Sequence, residues 1–295
     1  MSRTEPECRT LAPLGRRRAP VVENEAVGPY RLIAMLDAGG PAGPRPGQFY
    51  MLSTADGWGA GEDERPYLPR AFSFARARPE PEGARLEFLL EAIGPGTERL
   101  GAVMPGEEML LTGPLGVGFA PPPAEGGRPL LVGGGIGVAP VLAWNEELAR
   151  VTAPTELPGG GRRRIEPRVL LGFRSASYAR AAHLFAGQPS VVTDDGSLGR
   201  RGLVTALLEE ELERAEPPVT VYACGPPPML ESVRAICAER GVPAQLALES
   251  GMACGYGACF GCVVPTREGF VRLCVDGPVL DAAVLDTAAP AGTGH

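Results

Sequence analysis

Four cysteines crowd into one short stretch near the end of the chain. Cys254, Cys259, Cys262 and Cys274 follow the spacing C-x4-C-x2-C-x11-C. Three thiolates on one tight loop, with a fourth from a later strand, is how a plant-type [2Fe–2S] cluster is held. Gly251, Gly255, Gly257 and Gly261 lie in the same loop. Glycine lets the backbone turn through positive φ and lets N–H groups approach sulfur closely, which tunes the cluster's potential. The competing reading is a structural zinc site of four cysteines. Such sites usually pair two C-x2-C units, whereas here the fourth cysteine stands alone. Only His183 and His295 are present, so any metal site rests on sulfur or carboxylate. Cys237, at helical spacing from Met229 and Val233, reads as a core residue. Cys8, in a loose leader, carries no signal.

A second chemistry is written in glycine. Leu130–Val132 runs into Gly133-Gly134-Gly135-Ile136-Gly137-Val138-Ala139-Pro140, a strand, a glycine loop and a helix start. Such a loop presents backbone N–H groups and the positive end of a helix to a pyrophosphate. Pro140 suits the first helical position, where a missing N–H costs nothing. Further on, Tyr222-Ala223-Cys224-Gly225-Pro226-Pro227-Pro228-Met229 closes another strand. Open parallel sheets bind ligands at the carboxyl ends of their strands, which would set Cys224 beside a bound ligand, in a catalytic place. Taken alone, Cys224 reads first as a buried strand residue. Upstream, Arg70-Ala71-Phe72-Ser73 offers a fixed cation and a hydroxyl suited to a diphosphate, and Gly94-Pro95-Gly96-Thr97 could wrap the same ligand. Each of these, singly, is also an ordinary surface arginine or turn.

The elements that must position these groups fall into two styles. Tyr30–Asp37, Gln48–Leu52, Ala71–Ala77, Arg85–Ile93 and Glu108–Thr112 read as short strands without intervening helices, which predicts an antiparallel β-barrel. Residues 1–18 read as a leader, with Arg16–Arg18 a solvated patch before the first strand. After a proline- and glycine-rich boundary at Pro121–Gly127 the pattern changes. Leu130–Val132, Val169–Phe173, Val219–Ala223 and Gln245–Leu248 alternate with helices Pro140–Arg150, Gly202–Arg214 and Pro227–Arg240. That alternation predicts an α/β domain with a parallel sheet. Thr155–Arg164 reads as a polar loop, His183 as a helix-face residue, and the chain from about Thr287 as disordered. The expected domains are 19–122, 128–245 and a small iron–sulfur module at 246–286.

Composition narrows the class. A net charge of −7 without a basic stripe argues against a nucleic-acid partner. No apolar run of about 18 residues or more suggests a membrane span. Clustered rather than evenly spread cysteines, seven in number, argue against a secreted disulfide framework and for a cytoplasmic protein.

The order R-x-F-S, GGGxGxxP, CGPPxM resembles the ferredoxin–NADP reductase superfamily, and the likeness runs from about Ala19 to Leu280. Glu249–Cys262 with Cys274-Val275-Asp276-Gly277-Pro278 looks like the electron-transfer subunits of class 1B dihydroorotate dehydrogenases. Pro46–Phe49 and Thr193–Ser197 are similar to that family too. One departure is Ala71, where proline is more usual. The resemblance implies FAD contacts at Arg70, Ala71, Phe72, Ser73, Leu89, Leu90, Glu91, Gly96 and Thr97. It implies an NAD site at Gly133, Gly134, Gly135, Gly137 and Pro140, with Cys224, Gly225 and Pro226. The small subunits of NADH-dependent ferredoxin:NADP oxidoreductases are similar but carry aspartate at the first ligand position, where this chain has Cys254.

A nicotinamide gives two electrons as a hydride, a [2Fe–2S] cluster takes one at a time, and a flavin does both. These modules occupy nearly the whole chain and leave no room for an eight-stranded substrate barrel of ~250 residues. The resemblance therefore implies an FMN-containing dihydroorotate dehydrogenase catalytic subunit as partner, in a heterotetramer serving pyrimidine biosynthesis. Two other readings remain open: an NAD(P)H-dependent reductase of ferredoxin or another carrier, and a non-enzymatic protein with a zinc-stabilised tail.

Overall fold

The computed structural model describes residues 15–59, 66–122, 127–151, 167–214 and 218–289, and the backbone of 155–156 and 162–163. Cys8, His295 and most of the Thr155–Arg164 loop lie outside them.

Seven strands build the first layer: β1 (Arg17–Val27), β2 (Tyr30–Ala38), β3 (Phe49–Thr54), β4 (Arg70–Ser73), β5 (Arg76–Glu80), β6 (Gly83–Glu91) and β7 (Glu108–Leu115). They form one antiparallel sheet in the order β4-β3-β7-β1-β2-β6-β5. The two edge strands are consecutive in sequence, joined only by Phe74 and Ala75, so the sheet rolls back toward itself. The expected single strand Ala71–Ala77 is broken at this corner: Phe74 is buried in the barrel, and the Ala75 N–H donates to the Glu87 carbonyl instead of continuing the ladder. Inside lie Ile33, Met35, Tyr50, Leu52, Phe88 and Leu90. A short helix, α1 (Pro95–Gly101), interrupts the all-strand pattern expected for this half.

The sheet starts earlier than the charge run suggested. Arg17 is on β1 and clasps Asp37, a carboxylate with no solvent exposure, through Nε at 2.6 Å and Nη2 at 2.8 Å. Nη2 also donates to the Gly113 carbonyl at 2.6 Å. A buried charge needs such a partner, so Arg17 belongs to the fold and not to a solvated leader.

The second layer is a mixed sheet: β8 (Arg128–Gly134), β11 (Arg168–Phe173), β12 (Ser190–Thr193), β13 (Arg200–Arg201), β14 (Val219–Cys224), β15 (Ala244–Ala247) and β18 (Val279–Asp281), in the order β13-β12-β11-β8-β14-β15-β18. The small hairpins β9 (Thr155–Glu156) with β10 (Arg162–Arg163) and β16 (Val263–Thr266) with β17 (Gly269–Arg272) stand apart. Every neighbouring pair in the large sheet is parallel except β15–β18. Helices α2 (Val138–Val151), α3 (Val204–Arg214) and α4 (Pro227–Arg240) supply the crossovers. Alternate residues of β8 face opposite cores: Leu130 and Val132 meet Val221, Leu208 and Leu230, while Leu131 meets Trp144, Phe173 and Tyr222. Burial on both faces is what a central parallel strand requires. Cys237 sits in the first of these cores. Pro140 is the third residue of α2, not the first, which costs no bond because the whole first turn lacks intrahelical acceptors for its N–H groups.

Arg76 holds the layers together. It donates to Glu146 of α2 at 2.6 Å, to Glu87 of β6 at 3.2 Å and to the Leu184 carbonyl. The cysteine segment closes the structure. It folds over the barrel, ends in the short helix α5 (Leu273–Asp276), and returns as β18 against β15. Thr287 and Ala288, expected to be loose, both donate to Glu231 of α4.

Candidate functional site

Two cavities open at the carboxyl ends of β8 and β14. The first, about 240 Å³, lies between barrel, sheet and cysteine segment. Ala71, Phe72 and Ser73 of β4 and Leu89 of β6 line its barrel side, and Gly137, Pro140 and Cys224 its sheet side. The second, about 510 Å³, is lined by Glu91, Gly134, Gly135, Arg174, Asp194 and Pro226, among others. Ile136 and Glu249 line both, so the cavities share a wall.

Arg70 lies outside the lining but beside it. Its Nη1 donates to the Leu68 carbonyl at 2.5 Å, and its guanidinium carbon sits 5.9 Å from the Trp58 ring centroid. A Cβ on Gly96 would stand 2.8 Å from Arg70 Nε and Nη2. The missing side chain thus lets the arginine lie on the first turn of α1, bringing together two motifs more than twenty residues apart. The Thr97 hydroxyl accepts from the N–H groups of Ile93 and Gly94, at 2.9 and 3.1 Å, so it caps its own helix. Leu90 points into the barrel core, and only its backbone is available to a ligand.

The glycines of the β8 loop serve mainly closeness. A Cβ on Gly137 would lie 2.5 Å from the Cys224 carbonyl and the Gly225 nitrogen, and one on Gly134 would lie 2.4 Å from Met229 Sδ. Gly133 packs on Leu171 and Val138 and lines neither cavity. Gly225 faces Met229 and Gly134 in the same tight stack. Only Gly135 needs positive φ, at 53°. The Cys224 thiol is 5 % exposed, and its pKa is raised well above the ordinary thiol value, by burial first and then by the charge of Glu249. It is therefore a neutral S–H near pH 7.

Further residues complete the walls. Glu249 sits just past β15, where an acidic residue at a strand's carboxyl end is a recognisable signal. Tyr178 donates to Glu91 at 2.8 Å and meets the ring of Tyr30 edge-on at 5.4 Å, while Arg174 lies 5.1 Å from its ring centroid. This contact ties sheet to barrel at the mouth of the second cavity, and tertiary pairing of that kind leaves no local mark in a sequence.

The four cysteines come together as two pairs. Cys262 and Cys274 are buried, with Sγ atoms 3.2 Å apart. Cys254 lies near Cys259, which is exposed and receives the Gly261 N–H at 3.4 Å. Among the described residues no three Cys, His, Asp or Glu side chains are grouped to hold a metal ion. Burial raises the Cys254 pKa, but N–H groups of Cys259, Tyr256 and Ala258, with the Cys259 thiol, outweigh it and bring it to about 6. Cys274 moves up to about 12 through burial and the neighbouring Cys262 thiol. Metal binding would reverse that shift, because a ligating thiol gives up its proton. Gly255 and Gly257, at φ of 82° and 86°, turn the loop. Gly255 also presses on Met51 and Leu115 of the barrel.

Comparison with known proteins agrees with this layout. Residues 249–286 match the iron-sulfur cluster binding domain of dihydroorotate dehydrogenase B, and residues 131–235 match the oxidoreductase NAD-binding domain. A solved chain from an NADH-dependent reduced ferredoxin-NADP oxidoreductase shares the fold, with TM-score 0.71 and 23% identity over 91% of this chain and 90% of that one. The dihydroorotate dehydrogenase B (NAD(+)) electron transfer subunit of Caldanaerobacter subterraneus subsp. tengcongensis is 35% identical over 240 residues, 80% of this chain and 85% of that protein. A probable one from Methanopyrus kandleri is 35% identical over 262 residues, 88% of each. On this extent of identity, joined to the two matched domains, the chain belongs to the family of dihydroorotate dehydrogenase B electron transfer subunits.

Proposed function

We propose that the chain carries electrons from dihydroorotate, oxidised on an FMN-bearing partner, through a [2Fe–2S] cluster and FAD to NAD+, in pyrimidine biosynthesis in the cytoplasm. The observation that carries this reading is one short segment. Ala247, Leu248, Glu249, Ser250 and Met252 line the first cavity, and Cys254 follows two residues later. The walls of a flavin site and the first cluster ligand are thus a single run of chain, which suits a relay.

Arg70 and Gly96 would hold the FAD diphosphate, with Ala71, Phe72, Ser73 and the backbone of Leu90 along the flavin. A guanidinium on a bare backbone makes short charge-assisted bonds to phosphate. Gly134, Gly135 and Pro226 would cradle the nicotinamide dinucleotide, and Asp194 in the same cavity suits an unphosphorylated ribose. Cys224, a neutral thiol on the cavity wall, would position the nicotinamide while the shared wall at Ile136 and Glu249 keeps bulk water back. Flavin supplies the conversion between hydride and single electrons.

Two sulfur pairs support a two-iron cluster, one pair to each iron, over a single zinc. Exposed Tyr256, Phe260 and Phe270, at 52%, 62% and 77%, gather on the cysteine module. Apolar surface of this kind favours a lasting partner over brief encounters with a small carrier. The expected units 19–122, 128–245 and 246–286 serve as the division of labour, with the first extended back to Arg17 and the second carried on to the end of β15 at Ala247, and heterotetramer is the assembly expected.

Mixing is the test. Combined with the FMN-bearing dihydroorotate dehydrogenase of the same cell, the chain should confer NAD+-dependent oxidation of dihydroorotate that neither protein shows alone. No gain on mixing, with ready reduction of free ferredoxin by this chain alone, would overturn the assignment in favour of a stand-alone reductase.

A further inference from the structure

Residues 249–286 contain two cations, Arg267 and Arg272, against five carboxylates. Arg267 faces Asp286 at 4.0 Å on the surface. Arg272 turns inward. Its Nη1 donates to the Gly257 carbonyl at 3.1 Å, and its guanidinium carbon lies 5.3 Å from the Phe260 ring centroid. Gly257 and Phe260 belong to the loop between Cys254 and Cys262, whereas Arg272 precedes Cys274 by two residues. The same Gly257 lies close enough for its N–H to favour the Cys274 thiolate, so it stands between the two sulfur pairs. A Cβ on Gly257 would meet Arg272 Nη1 at 3.1 Å and Val275 Cγ2 at 2.6 Å, which leaves no slack in this contact. Phe260, the one non-glycine residue at positive φ among those described, keeps that conformation under the guanidinium. The Asp276 carboxylate accepts the backbone N–H of Arg272 at 2.9 Å. Among the described residues the guanidinium itself has no carboxylate within ion-pair distance.

We propose that Arg272 is a positioning residue of the iron–sulfur centre: it clamps the Cys254–Cys262 loop onto the Cys274 segment and, as a cation held against that loop, favours the reduced cluster. The inference rests on the four-cysteine reading above. A cluster gains negative charge on reduction, and its potential follows the local charge and the hydrogen bonds reaching its sulfurs. Arg272 acts on both, by its own charge and by fixing the residue whose N–H favours the Cys274 thiolate.

Redox titration of the full iron-loaded chain, following the reduced cluster by electron paramagnetic resonance and the flavin by absorbance, decides it. Arg272→Gln should lower the cluster midpoint with the flavin midpoint and iron content unchanged. Arg272→Lys should lower it less, and Arg267→Gln should leave it in place. An iron-loaded Arg272→Gln protein with an unmoved cluster midpoint would overturn the proposal, as would an equal shift in Arg267→Gln. If Arg272→Gln fails to load iron, Arg272→Lys decides. A loaded Lys variant with a lowered cluster midpoint supports the proposal, one with an unmoved midpoint overturns it, and failure of both to load reduces Arg272 to a structural residue and overturns it. An iron-free unsubstituted chain would instead overturn the cluster reading itself.

Discussion

The two glycine-rich loops of this protein look alike as sequence and differ as physics. In the β8 loop, Gly133, Gly134 and Gly137 have negative or extended φ, and what they lack is room: neighbouring strands and Met229 occupy the space of a side chain. In the cysteine loop, Gly255 and Gly257 sit at positive φ and are crowded only by side chains, Met51 and Val275, while Gly251 and Gly261 meet little or nothing. One loop uses glycine to bring two strand ends into contact around a ligand cavity. The other uses it to reverse direction so that N–H groups turn toward sulfur. A glycine count cannot separate these roles, but substitution can.

The largest effect is expected at Gly137→Ala. Its Cβ would meet backbone atoms of Cys224 and Gly225, which have no rotamer to yield, so about 3 kcal/mol or more of stability should be lost. Thermal melting should show it, with loss of NADH-dependent flavin reduction. An unchanged melting point would mean that the β8–β14 contact is looser than drawn. Gly255→Ala should cost about 1–2 kcal/mol through its left-handed φ and its contact with Met51. Iron content should fall while flavin and its reduction by NADH persist; equal loss of both cofactors would erase the distinction between the loops. Gly261→Ala sharpens it from the other side. The nearest atom to its Cβ is Cys259 Sγ at 3.6 Å, an ordinary contact, so iron content should be retained.

How far these roles could be read beforehand depended on their range. The strand–loop–helix context of Gly133–Pro140 is local and is found where expected; the cysteine spacing is local too, and the structure sets its four residues on one closing segment. Arg17 did not, because its partner Asp37 is twenty residues away and three adjacent arginines look like a solvated patch. The corner at Phe74–Ala75 was hidden inside an unbroken β-type run, since only barrel closure demands it. The helix cap made by the Thr97 hydroxyl with Ile93 and Gly94 was not announced by the glycine–proline turn around it. Glu249 and Tyr178 gain their places only when barrel, sheet and cysteine segment meet.

The smallest expected effect concerns the tail that follows the cysteine module. Arg234 foremost, with the Ala288 N–H and the Thr287 hydroxyl, holds the Glu231 carboxyl down at about 2 against a modest burial penalty. A depressed pKa stabilises the fold above the ordinary carboxylate range and loses that contribution as pH falls from there toward about 2. With the side chain one-third exposed, solvent screening leaves about 1 kcal/mol or less. Glu231→Gln should remove this acid-sensitive part, seen as a flatter fall of melting temperature below the carboxylate range. An unchanged acid profile would mean that Glu231 does not hold the tail.

The relay itself is tested most directly by Cys259→Ser, measured in two assays on one preparation. Cys259 is the exposed cysteine of the four and lies outside both cavities. Reduction of an artificial acceptor by NADH should therefore survive, while NAD+-dependent oxidation of dihydroorotate with the partner subunit should vanish. If the coupled activity persists at the level of the unsubstituted chain, electrons do not pass through the four-cysteine centre, and the account fails.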